Sequence, residues 1–254
     1  MLIDVHAHYE NARYDKDRDE TIEAVRRSGV ERIINSGASV KSSKASLELA
    51  EKYDFVYATA GIHPHEAKNA PFDAIDILAG LLKHEKALAI GEIGLDFHYD
   101  FSNRESQRHW FAKQMDFAAE AKYPVVIHDR EAHRECLEMA QRYAGAVKGI
   151  FHCYTGSLEM ALELAKLGYM MSFGGMVTFA GAADCREVVS GLPLEYMLLE
   201  TDCPYLAPHP HRGKRNDSGY LPLIAGAIAE LKHIDIEEVI SKTGENAKHC
   251  FGMA

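Results

Sequence analysis

The sequence predicts a single (β/α)8 barrel whose functional site lies at the C-terminal ends of its strands. Three observations predict this. The chain holds 254 residues, close to the ~250 that such a barrel uses as one domain. Short apolar, β-branched runs alternate with longer segments patterned at the helical period, as in a βαβ series. Histidines and carboxylates follow several of the apolar runs, and a barrel gathers those positions onto one face.

The predicted strands are Ile3–Val5, Arg32–Asn35, Val56–Gly61, Ala87–Gly91, Val125–Ile127, Gly149–Phe151, Met170–Phe173 and Met197–Leu199. The first predicted helix, Asp19–Ser28, stops at Gly29, a residue suited to a helix C-terminus. Ser42–Tyr53, Phe72–Lys83, Arg104–Lys122, Arg130–Tyr143, Leu158–Leu167 and Ala182–Ser190 follow, and Leu221–Leu231 and Ile236–Phe251 close the chain. Within Arg104–Lys122, residues Trp110, Phe111, Met115, Ala118 and Ala119 recur at helical spacing, which reads as a core face. An open doubly wound sheet is the architectural alternative. With no linker or low-complexity tract to divide it, the chain reads as one domain over residues 1–254.

Hydrophobic residues make up 47% and charged residues 26%, the balance of an ordinary soluble protein. The net charge of -10 would repel a polyanion over most of the surface, so attraction to a phosphate has to be local. Five cysteines without a C-x-x-C pair speak against a disulfide framework and a zinc ribbon, and suit a reducing compartment. Neither a signal peptide nor an apolar run of the ~18 residues that span a membrane is recognisable. A cytoplasmic protein is expected, with no membrane association and no obligate protein partner.

His6 and His8 follow the first predicted strand, Glu92 the fourth, His128 the fifth, His152 the sixth and Asp202 the eighth. His6 and His8 are two apart, so on a strand both project to one side and can grip one ion. A lone buried histidine is more often a hydrogen-bonded core residue than a ligand. It is the joint placement that points to metal. Imidazole with carboxylate leaves Zn, Mn, Mg, Fe and Ni open. Six ligands exceed the need of one catalytic zinc but fit two ions with a bridging carboxylate, for which Glu92 is the natural residue. Such a pair can activate a water, and Asp202 can bind an ion and accept the nucleophile's proton. The set implies hydrolysis, with Glu92 and Asp202 as its catalytic carboxylates.

These residues resemble the TatD-type metal-dependent hydrolases, the TatD-related deoxyribonucleases. The resemblance rests on Asp4-Val5-His6-Ala7-His8, Gly61-Ile62-His63-Pro64-His65, Gly91-Glu92-Ile93-Gly94-Leu95-Asp96 and Pro124-Val125-Val126-Ile127-His128. It continues through His152-Cys153-Tyr154-Thr155-Gly156-Ser157, the stretch from Glu200 to Pro208, and Glu245-Asn246-Ala247-Lys248 before Phe251-Gly252. It implies a TIM barrel in which His6, His8, Glu92 and Asp202 hold one divalent ion and Glu92, His128 and His152 the other. It also implies phosphodiester cleavage in DNA, often from an end, or in some members release of a D-amino acid from tRNA. The family's usual Gly-Lys-Arg-Asn-Glu-Pro reads here Gly213-Lys214-Arg215-Asn216-Asp217-Ser218. Without the proline's fixed φ, a more mobile loop is expected.

His63 and His65 should face the mouth of the site as substrate contacts, with a loosely held extra ion as an addition and a turn fixed by Pro64 with one solvated histidine as the alternative. Arg212, Lys214 and Arg215 lie after the eighth strand, a frequent place for phosphate binding in this fold, and Arg130 is a further candidate. Glu200 alternates with Asp202 and should orient a ligand from behind. Cys153 and Cys203 are expected to turn into the core. The expected reaction is attack by a metal-activated water on a phosphodiester. Ester or amide hydrolysis on the same ions, such as D-aminoacyl-tRNA deacylation, is the rival, and a non-catalytic metal-binding protein is a third reading.

Overall fold

The computed structural model describes residues 1–253. Eight parallel strands form one sheet in sequential order: β1 (Leu2–Ala7), β2 (Val30–Asn35), β3 (Val56–Ala60), β4 (Ala87–Asp96), β5 (Val125–Arg130), β6 (Gly149–Phe151), β7 (Tyr169–Phe173) and β8 (Met197–Leu199). The ring closes just beyond β8, where Ala7 forms a bridge with Cys203. His8 N donates to Cys203 O at 2.8 Å, and Asp202 N to His6 O at 3.0 Å. The fold is the expected (β/α)8 barrel.

Helices α1 (Arg18–Arg27), α2 (Val40–Lys52), α3 (Ala74–Leu81), α4 (Arg104–Ala121), α5 (His133–Arg142), α6 (Leu158–Lys166) and α7 (Ala183–Gly191) connect the strands. α8 (Leu221–Lys232) and α9 (Ile236–Phe251) complete the chain. Side chains mark several starts. Ser39 caps α2 by accepting from Ser42 N, Asn103 accepts from Ser106 N at 2.8 Å at α4, and Ser157 accepts from Met160 N at α6. Gly29 follows α1 at φ +95°, the left-handed conformation its position suggested.

Two differences from the sequence reading concern where elements begin and end. β4 and β5 run beyond their apolar cores, so Arg130 belongs to a strand and pairs with Asp96 instead of opening a helix. The helix expected from Phe72 begins at Ala74, and Phe72 is almost fully exposed.

Ile3, Val5, Ile34, Ala89, Val126, Ile150 and Leu198, drawn from β1 through β8, form one buried cluster with Ala247, Cys250, Phe251 and Met253. Residues from strands all round the ring can meet only inside it, so the C-terminal end of α9 closes the barrel's lower mouth. A larger apolar layer, including Trp110, Phe111, Met115 and Ala118 of α4, fills the space between strands and helices. The polar end is left for chemistry.

Candidate metal centre

Glu92 lies within β4 and is 3% exposed. Its two carboxylate oxygens face different groups. Oε2 lies 3.3 Å from His6 Nε2 and 3.6 Å from His8 Nε2. Oε1 lies 2.8 Å from His152 Nε2, 2.9 Å from His128 Nδ1 and 3.2 Å from His63 Nε2. Asp202 Oδ1 joins the first group, 3.8 Å from His6 Nε2 and 3.5 Å from His8 Nε2. All six candidate ligands read from the sequence therefore lie together. His63, expected as a substrate contact, stands among them, within a set with Glu92 and His128 compact enough for one ion.

The backbone explains how they meet. β1 carries His6, with His8 just past its end, and its pairing with β2 shifts register between Asp4 and Ala7. His8 Nδ1 lies 3.0 Å from the Ser36 carbonyl oxygen, which can only accept, so this nitrogen carries a proton and Nε2 is the nitrogen turned toward Glu92. His6 Nδ1 lies 3.0 Å from Ser36 Oγ. Two buried glutamines of α4 hold the far side. Gln107 accepts from Asp96 N and donates to Asp96 O, while Gln114 accepts from Ile62 N and donates to Ile62 O, beside His63.

The donor set fits a cation. His6 Nε2 and His8 Nε2 are 3.0 Å apart, and His128 Nδ1 and His152 Nε2 are 3.0 Å apart. Ring nitrogens so close cannot both carry protons pointed at the other. Burial pulls the pKa of His8, His128 and His152 down, yet neighbouring carboxylates hold all three above the ordinary histidine value. Burial lowers His6, and brings His63 down to about 4. Burial raises Glu92, but the surrounding imidazoles outweigh it and hold its pKa well below the ordinary glutamate range. The site thus gathers positive charge around Glu92, the demand a divalent ion meets.

The remaining candidates divide. Glu200 is fully buried; Ser172 Oγ donates to its Oε2, and its Oε1 faces His152 Nδ1 at 3.8 Å. Among the described residues those two atoms have no other hydrogen-bond partner, which places Glu200 behind an imidazole as expected. His65 does not reach Glu92; its Nε2 lies 2.7 Å from Asp96 Oδ2. Arg130 is exposed, with its guanidinium 4.6 Å from the Tyr99 ring centroid. Arg212 lies over Phe179 at 3.5 Å, and Lys214 is exposed. Arg215 is different: both terminal nitrogens bind Asp17 at 2.7 Å, and the group lies over Tyr14. Its fork is already filled.

Two expectations need correction. The loop ending in Asp217-Ser218 is tied down: Ser218 is fully buried, its Oγ donates to Asp4 Oδ2 at 2.6 Å, and its N donates to Tyr9 Oη at 2.9 Å. Cys203 is buried as expected, but Cys153 is partly exposed at φ +46°. Burial and the nearby Glu200, Asp202 and Glu92 push its thiol well above the ordinary range, so it stays protonated.

The residue that reasoning from strand ends missed is Asp96. It accepts from His65 and lies 3.2 Å from His128 Nε2, so it backs a candidate ligand from the side opposite Glu92. Burial raises its pKa, but the hydrogen bonds from His128 and His65 prevail and hold it below the ordinary range. The available signal was its spacing, four residues after Glu92, which returns to the same face of an extended strand.

Comparison with known proteins agrees with this architecture. The model of the family described as TatD related DNase matches residues 3–252. "Uncharacterized metal-dependent hydrolase YabD" of Bacillus subtilis (strain 168) is 43% identical over 252 residues, covering 99% of each chain. "3'-5' ssDNA/RNA exonuclease TatD" of Citrobacter rodentium (strain ICC168) is 32% identical over 259 residues, covering 99% of this chain and 98% of that one. Among solved structures, YJJV, a TatD homolog from Escherichia coli k12, superposes with a TM-score of 0.93 at 27% identity, covering 100% of this chain and 98% of the other.

Proposed function

Because this chain belongs to the TatD related DNase family, we propose that it hydrolyses phosphodiester bonds at the ends of single-stranded DNA or RNA, using two divalent ions held around Glu92. The observation that carries the proposal is the division of Glu92: one buried carboxylate serves two sets of imidazoles through separate oxygens. The relatives named as a metal-dependent hydrolase and as an exonuclease support the reaction class.

In this reading His6, His8, Asp202 and Glu92 Oε2 hold one ion, and Glu92 Oε1, His128, His152 and His63 the other. When bound, the ions supply a more acidic water and neutralise charge on the phosphoryl oxygens. The protein's own groups supply orientation and proton handling. Ser36 fixes the His8 tautomer so that Nε2 faces inward. Burial raises Asp202, but the His8 hydrogen bond and the charges of His6, His8 and His152 hold it ionised at neutral pH, so it can accept the nucleophile's proton. Lys214 and Arg212 are the loop cations that steady flanking phosphates, while Arg215 braces the loop through Asp17.

The test is a chelator-stripped protein reloaded with Mg, Mn or Zn and given DNA and RNA strands labelled at either end. Ion-dependent, stepwise shortening from one end is expected. A folded, ion-loaded protein that releases nothing from any strand would overturn the proposal.

A further inference from the structure

Tyr99 and Phe101 lie in the connection between β4 and α4. Their ring centroids are 5.1 Å apart and their planes only 7° from parallel. They remain 47% and 55% exposed, whereas Tyr9, Tyr14, Tyr169, Phe111, Phe151 and Phe173 are fully buried. The stacked pair borders the metal centre. His65 meets both rings edge-on, at 5.6 Å from Tyr99 and 4.8 Å from Phe101. The Nε2 of His65 contacts Asp96, and Asp96 contacts His128. Two side chains therefore separate the exposed rings from a residue assigned to an ion. Arg130 adds a guanidinium over Tyr99.

Tyr205, also beside the centre, provides a contrast. Its hydroxyl accepts from Asn11 Nδ2 at 3.0 Å, so the ring is tied to a neighbour, although Arg13 lies over it much as Arg130 lies over Tyr99. Tyr99 and Phe101 combine exposure, parallel rings and a cation. Those are the parts of a nucleobase platform, because every base offers a π-face and a guanidinium can cover it while pairing with phosphate. A second copy of this chain is a poorer occupant: a stable contact needs ~800 Å² per partner, far more than two half-exposed rings supply.

We propose that Tyr99, Phe101 and Arg130 form a stacking site for an unpaired base of the strand whose phosphodiester lies at the Glu92 centre. The inference rests on the nuclease reading and deepens it. A base must be uncovered on the side that meets the rings, which a single strand offers at any position and a duplex only at its ends, so the site favours single strands without selecting sequence.

The experiment compares kcat/KM on an oligonucleotide with that on the same strand carrying abasic residues at the cleaved end, both with the Mn-loaded protein. The wild type is expected to favour the intact strand by roughly 5- to 150-fold, the range of one stacked base. In Tyr99→Leu/Phe101→Leu the ratio falls toward one, mainly through KM; Tyr99→Phe, which keeps the ring, retains it. Turnover of the abasic strand by the double variant shows that its centre is assembled. A wild type indifferent to base loss, or a double variant with the wild-type ratio, overturns the stacking site while leaving the nuclease reading intact. A loaded wild type that cleaves neither strand overturns both.

Discussion

The strand ends around Glu92 and the loop leading from β8 to α8 occupy the same end of the barrel, but are held by different means. Around Glu92 the side chains are buried or nearly so, and their direction is imposed by parallel strands or by the first residues beyond them. In the loop, position depends on particular partners elsewhere. Asn216 Nδ2 donates to Thr201 O and Tyr205 O, Ser218 reaches Asp4, and Arg215 reaches Asp17. The strand ends form a rigid charge cage, and the loop is a brace with a few free charges on its outer side. Loss of a cage residue should abolish chemistry, whereas loss of a brace residue should cost stability.

The largest effect is expected for Glu92→Gln. Both sets of imidazoles lose their shared anion, and activity should fall by far more than the ~10–100-fold typical of removing an outer partner of a metal site. Metal content measured on the purified variant should fall with it. Glu200→Gln removes only the charge behind His152 and should cost about that 10–100-fold, with tighter dependence on added ion. Retention of full activity and metal would make Glu200 a packing residue.

Ser218→Ala tests the brace. Asp4 loses one donor but keeps Thr201 N at 3.0 Å and Thr201 Oγ1, so unfolding should become easier by about 1–3 kcal/mol while kcat holds. A large fall in kcat with unchanged denaturation midpoint would contradict the division between cage and brace.

The smallest effects separate two neighbouring cations. Lys214→Ala should raise KM for nucleic acid a few-fold and flatten its salt dependence by about one counterion. Arg215→Ala should instead lower Tm slightly and leave KM near wild type, since a pair that solvent still reaches contributes little. Its pH dependence has a fixed sign. The Arg215 hydrogen bond lowers the Asp17 pKa, so the pair's contribution is complete above the ordinary aspartate value and is lost as pH falls through the lowered one. Thermal scans of wild type and variant should therefore converge on the acid side.

The contrast between the two regions also explains what could be read in advance. His6, His8, Glu92, His128, His152 and Asp202 were legible because strand period and barrel geometry determine where a residue after an apolar run must go. His63 was placed at the right mouth but too far out, because the turn after β3 is fixed by Gln114 of α4, a contact between distant segments. Arg215 looked like a phosphate ligand until its partner in the segment before α1 was visible. Ser218 looked like the loss of a rigid proline, but its hydroxyl and amide anchor the loop in ways that depend on Asp4 and Tyr9. Asp96 was obscured because β4 outlasts its apolar run, and polar residues at a strand's end resemble a loop.

The central claim is that one buried carboxylate joins two cation sites. Anomalous diffraction from crystals grown with Mn and with Zn tests it directly. The account expects two peaks, one between Glu92, His6, His8 and Asp202 and the other between Glu92, His63, His128 and His152. A single peak away from Glu92, or none in protein that hydrolyses its substrate with the same ion, would contradict it.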